Sequence, residues 1–171
     1  MSTKKHAEHP HLTGEHRWGD AIQLVLLIIF LTIWITDSFI FHFSTSFKEA
    51  IPEFLRITLA SGVLFTAWIL ARSGMKAVFG TKREKPEVIN TGAFRLVRHP
   101  IYTGAILFYL GAILITGSLS AAAFWLVIIT TYIWIARYEE QILTVEFCDE
   151  YKAYKKKTGM LFPRLFSRVS R

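Results

Sequence analysis

The chain has 171 residues and a formal net charge of +7, and 52% of its residues are hydrophobic against 19% charged. An ordinary soluble domain carries about 25% charge, and a chain this short has too little interior to hide so much apolar surface from water. The 14 Phe, 6 Tyr and 5 Trp argue against a disordered chain, and the single cysteine, Cys148, excludes an intramolecular disulfide framework or a cysteine-cluster zinc site.

Residues 1–19 are polar and carry His6, His9, His11 and His16 at a spacing that matches no metal-ligand set. They read as a disordered cytoplasmic tail ahead of a single domain over 20–171, and no metal is expected. The tail lacks the basic, apolar, small-residue order of a cleavable signal peptide, so the first span is expected to be retained. Residues 21–43 then carry one charge, Asp37. At about 1.5 Å per residue such a helix crosses a hydrocarbon core of about 30 Å. Asp37 and His42 fall near its outer end and read as interfacial residues. Residues 57–71 form a shorter apolar run between Arg56 and Arg72; both arginines can snorkel, and Phe54, Leu55, Val78 and Phe79 can lengthen it. The stretch 80–94, with Gly80, Pro86 and Gly92, reads as a loop.

Residues 101–136 contain no charge. One helix of that length would reach about 54 Å, too long for a single span. Thr116-Gly117-Ser118 supplies the turn residues for a break, which predicts a tight hairpin of spans 101–116 and 119–137. Beyond it, Leu143, Phe147, Tyr151 and Tyr154 recur at helical spacing among lysines, predicting an amphipathic helix over 139–157 at the cytoplasmic interface. The expected fold is an all-α membrane bundle of four transmembrane helices plus this C-terminal helix. Basic residues gather before span 1, between spans 2 and 3, and after span 4. The positive-inside rule therefore places both termini and the 72–99 loop in the cytoplasm. The basic residues lie between apolar runs, not along one polar face, so the expected partner is the lipid bilayer and not nucleic acid.

A hairpin returns the chain to the side where it began. Arg98 and His99 precede span 3, and Arg137, Glu139 and Glu140 follow span 4. All five are therefore expected on one membrane face. Charges at that depth are costly and are often functional; the same set also suits interfacial anchors and salt bridges, and Arg137 suits a boundary marker.

Arg98-His99-Pro100-Ile101-Tyr102-Thr103-Gly104 forms an R-H-P-x-Y-x-G string. Thr91-Gly92-Ala93-Phe94-Arg95 precedes it, and Glu139-Glu140-Gln141-Ile142-Leu143, Glu146-Phe147, Tyr151, Tyr154 and Pro163 follow the hairpin. Over residues 88–163 the chain resembles the isoprenylcysteine carboxyl methyltransferase and phospholipid methyltransferase superfamily of integral membrane enzymes. The resemblance implies S-adenosylmethionine as cofactor, bound at the cytoplasmic end. Arg98, His99, Pro100, Tyr102, Gly104, Glu139 and Glu140 would form its site, with Arg98, His99 and Glu140 nearest the chemistry. The residue types suit that cofactor. A Glu accepts from ribose or amino groups, and adjacent helical positions point about 100° apart. One Glu is therefore expected to face the cofactor and the other to brace an arginine or backbone. Arg98 or Arg95 can hold a carboxylate, His99 can donate or take a proton, and Tyr102 offers a ring wall and a hydroxyl. Cys148 stands where relatives often have glycine.

The expected reaction is methyl transfer to a lipid-like acceptor, with the carboxylate of an isoprenylcysteine-type substrate first. A thiol or a phospholipid amine is the alternative acceptor. No clear glycine-x-glycine counterpart stands near Ser73-Gly74-Met75, which weighs against phospholipid amines. Two other classes stay open: an NADPH-dependent membrane reductase, against which the absent G-x-G-x-x-G string counts, and a non-catalytic membrane scaffold. Oligomeric state is not readable from the sequence.

Overall fold

The protein is represented by a computed structural model that describes residues 19–45, 49, 51–80 and 86–164. The polar tail with its four histidines lies outside these residues, as do Lys48, Lys82, Arg83, Lys85, Arg168 and Arg171. Four α-helices are described: α1 (Gly19–Ile35), α2 (Glu53–Phe79), α3 (Pro100–Thr116) and α4 (Leu119–Lys157). A π-helical turn, Thr36–Phe41, extends α1, and a short 3-10 helix, Gly92–Arg95, precedes α3. Among the described residues the only β pairing is a single bridge between Val97 and Gly159.

Among the described residues three helices are long and apolar enough to cross a membrane: Gly19–Phe41 with 23 residues, Glu53–Phe79 with 27 and Leu119–Lys157 with 39. The chain is thus an all-helical, multi-pass membrane protein. The 17 residues of α3 rise about 25 Å, less than the ~30 Å hydrocarbon core. Leu24, Ile28, Phe65, Trp68 and Leu126 expose large apolar side chains, as expected where lipid and not water is the solvent.

The chain divides into two compact units, one made of residues 19–69 and 104–133, the other of 70–103 and 134 onward. In the first, aromatic side chains and close backbone approach join the helices. Phe30 of α1 meets Tyr109 of α3 edge to face at 4.6 Å. Trp34 donates its indole N–H to Ala112 O and Thr116 Oγ1, both at 3.0 Å. A Cβ on Gly111 would lie 2.5 Å from Leu64 Cδ2, so α2 and α3 approach there as glycine allows. Trp125 of α4 donates to Ile106 O of α3 at 2.9 Å, which pairs the two arms of the expected hairpin. The turn falls at Gly117, whose φ of 70° needs no Cβ.

Asp37 proves to be a buried capping residue in this unit. It accepts from Ser44 N at 2.8 Å, from Ser44 Oγ at 2.5 Å and from Ser118 Oγ. Those hydroxyls serve the first turn of α4: Ser118 Oγ accepts from Ala121 N at 3.1 Å, and Ser44 Oγ from Ser120 N at 2.9 Å. Leu119 N reaches Ser44 O at 3.3 Å. The open N–H groups of a helix start are thereby satisfied, with a carboxylate beside the positive end of the helix dipole.

The second unit departs from expectation at the C-terminal helix. Helix α4 runs unbroken past Arg137, and its break comes at Cys148, with φ 43° and ψ −115°. A straight helix would separate residues 140 and 155 by about 22 Å. Lys155 Nζ nevertheless lies 2.9 Å from Glu140 Oε2, so the chain turns back at Cys148. The residues after the break keep the predicted amphipathic face. Tyr151 is buried and Tyr154 half-buried, while Lys152, Lys156 and Lys157 are exposed.

Candidate active site

The segment that carries the motif is held by backbone pairing. Arg98 N donates to Gly159 O at 2.8 Å and His99 N to Met160 O at 3.1 Å, so residues 97–99 run beside the segment that follows α4. Pro100 opens α3, where a missing N–H costs nothing. The carbonyl of His99 accepts the first helical hydrogen bond, from Thr103 N at 3.0 Å. Thr103 Oγ1 sits 3.0 Å from both His99 O and Leu161 O. The end of α2 closes on the same point. Ser73 Oγ accepts from Ala93 N at 2.9 Å, and a Cβ on Gly74 would lie 2.8 Å from Ile101 Cγ1.

The side chains then converge. Glu140 accepts from Arg98 Nε at 2.6 Å, pairs with Lys155 and lies 3.4 Å from His99 Nε2. Glu139, one position earlier on α4, accepts from the Tyr102 hydroxyl and lies 3.5 Å from His99 Nδ1. The imidazole therefore stands between two carboxylates, one near each ring nitrogen. Its ring is parallel to that of Tyr102, with centroids 5.5 Å apart. His99, Pro100, Glu139 and Glu140 are buried, and Tyr102 is half-buried. Despite the nearby Glu140, His99 Nε2 makes no aligned hydrogen bond.

Charge follows from this geometry. Burial opposes a positive His99, but the close approach and Coulombic attraction of Glu139 and Glu140 outweigh it and raise the imidazole above its usual value. Glu140 lies on α4 beyond the charge-free stretch that ends at Ala136. Burial alone would raise its carboxyl; His99, Arg98 and Lys155 together hold it down at about 2.

The seven motif residues do not play equal parts. Arg98, His99, Pro100, Tyr102, Glu139 and Glu140 lie in one unit, while Gly104 is buried on α3 within the other. Arg98 braces the fold: besides Glu140, its Nη1 donates to Thr158 O and, at 3.3 Å, to Lys155 O. Glu139 is the carboxylate left to Tyr102 and His99. Arg95 and Arg137 are exposed. Sequence reasoning overlooked Lys155, which sits among four lysines at 152–157 and carries no distinguishing signal. It weighed Gly74 only for a missing glycine-x-glycine string and missed its close approach to Pro100 and Ile101, which no string could reveal.

Residues 56–150, more than half of the chain, match the phospholipid methyltransferase family, and the chain belongs to that family of membrane methyltransferases. Use of S-adenosylmethionine is general in the family. Methanethiol S-methyltransferase 1 of Bradyrhizobium diazoefficiens is 39% identical to it over 72 residues, 41% of this chain and 24% of that protein. The match thus spans about a quarter of the relative's length. No solved structure matches the chain.

Proposed function

We propose that the chain is an integral membrane methyltransferase that uses S-adenosylmethionine and passes its methyl group to a thiol. The observation that carries this reading is the His99 imidazole: buried, stacked on Tyr102, flanked by Glu139 and Glu140, with Nε2 free of an aligned partner. The residues fit the cofactor. Glu139 offers carboxylate oxygens to an amino or ribose hydroxyl group, Tyr102 an aromatic wall, and the paired carboxylates an environment suited to a sulfonium. Arg98 and Glu140 hold the start of α3 in place, and Pro100 opens that helix without an unsatisfied N–H.

When bound, the cofactor supplies a methyl group on a cationic sulfur, and most of the gain in rate comes from alignment and desolvation. A thiol must also lose its proton, and His99 Nε2 is the group to take it. The thiol reading is favoured by the methanethiol S-methyltransferase activity for which the Bradyrhizobium relative is named. A second reading, the carboxylate of an isoprenylcysteine-type acceptor, rests on the R-H-P-x-Y-x-G string and needs no base. In either case an apolar acceptor would enter from the bilayer, and the termini and site would face the cytoplasm.

The test is binding of S-adenosylmethionine and S-adenosylhomocysteine to detergent-purified protein, with NADPH in parallel. Micromolar binding of the adenosyl ligands, lost in Glu139→Ala and His99→Ala, is expected. NADPH binding in their place would point to a reductase and refute the reading; no binding of either would favour a scaffold. Radiolabelled methyl transfer to methanethiol or to an isoprenylcysteine analogue then separates the two acceptors.

A further inference from the structure

The candidate site contains one cation that the motif does not supply. Lys155 Nζ approaches Glu140 on Oε2, the oxygen opposite the one Arg98 holds, and stands 6.0 Å from the Tyr151 ring centre. The Lys155 side chain is 37% exposed and that of Glu140 6%. The pair therefore joins a buried carboxylate to a cation that reaches solvent. The backbone of Lys155 is anchored separately, its carbonyl receiving Arg98 Nη1 at 3.3 Å and Arg164 Nη1 at 3.1 Å. A change of side chain leaves those bonds in place.

Resting on the reading of His99 as base, we propose that Lys155 is a positioning residue for His99: by pairing with Glu140 it limits that carboxylate's hold on an imidazole proton and keeps a share of His99 neutral, able to take the acceptor's proton. Glu140 is shared by three groups able to carry positive charge, namely Arg98, Lys155 and His99. Arg98 is always charged. If Lys155 is removed, the remaining negative charge is answered most cheaply by a proton on His99, 3.4 Å away. A protonated imidazole is no base. The other groups beside His99 are Glu139 on α4 and Tyr102 on α3. Helix α2, which reaches Pro100 and Ile101 at Gly74, has Arg72 and Lys76 near that end and no carboxylate after Glu53.

The experiment follows the His99 ring directly, by NMR of protein labelled with 15N-imidazole histidine in lipid nanodiscs. The His99 signal is identified by its loss in His99→Gln. In Lys155→Met the titration midpoint of His99 should rise by roughly half to one pH unit, the size expected for loss of one partly screened charge a few ångströms away. Lys155→Arg should restore the wild-type midpoint. The acid limb of kcat/KM for methanethiol should move by the same amount in each variant. If Lys155→Met does not fold, Lys155→Gln carries the same comparison. An unmoved midpoint overturns the proposal whatever the activity does. A moved midpoint with thiol methylation that survives in His99→Gln supports the electrostatic part and overturns the reading of His99 as base.

Discussion

Replacing Arg98 by lysine keeps the charge and removes the shape. The guanidinium reaches three places at once: Glu140 at 2.6 Å through Nε, and through Nη1 the carbonyls of Lys155, at 3.3 Å, and Thr158. It thus ties the segment before α3 to the body of α4 and to the chain beyond the Cys148 break. A lysine ammonium is a compact point charge on a flexible stem and cannot span a carboxylate and two carbonyls. It can keep the Glu140 contact and must release at least one carbonyl. A hydrogen bond to a charged group contributes about 1.5–3 kcal/mol, and the longer contact to Lys155 O belongs at or below the low end. The expected loss is about 2–3 kcal/mol. At about 2–4 °C per kcal/mol for a chain of this size, the thermal midpoint of the detergent-purified protein should fall by roughly 5–10 °C. Arg95→Lys, at an exposed position, should shift it by no more than about 1–2 °C. An Arg98→Lys midpoint within 1 °C of wild type would show that the carbonyl contacts carry no weight and that Arg98 is not a brace.

Gly74→Ala puts a methyl group 2.8 Å from Ile101 Cγ1 and 3.2 Å from Pro100 Cγ. Overpacking of this kind costs about 1–3 kcal/mol, so both the melting midpoint and S-adenosylhomocysteine affinity should fall, whereas Gly62→Ala, with nothing within 4 Å, should be neutral or stabilising by thermal melt. Cys148→Gly should raise the midpoint by a few degrees: φ 43°, ψ −115° is close to the first central position of a type II′ turn, which glycine favours and other residues adopt at about 1–3 kcal/mol. A midpoint that falls in Cys148→Gly would mean that the bend carries no strain.

Composition and charge-free length were enough to read an all-helical membrane chain. An apolar run needs only its own residues to be too long for one span, so the hairpin break at 116–118 was also legible: α3 ends at Thr116 and α4 begins at Leu119. The motif residues at the two open ends of the hairpin were legible as a group because a hairpin must bring its two ends to one side. Other features depend on what meets in space. Asp37 reads as a lone charge in an apolar run, and only the tertiary structure brings Ser44 and Ser118 to it and makes it part of a helix cap. The adjacent Glu139 and Glu140 are equivalent in sequence. Their roughly 100° separation on α4 sends one to Tyr102 and the other to Arg98 and Lys155. The turn at Cys148 is hidden because the helical pattern continues on both sides of it, while the backbone there adopts a positive φ that no periodicity records. Lys155 becomes part of the site through that turn, a contact set by chain geometry across 15 residues and not by any local string.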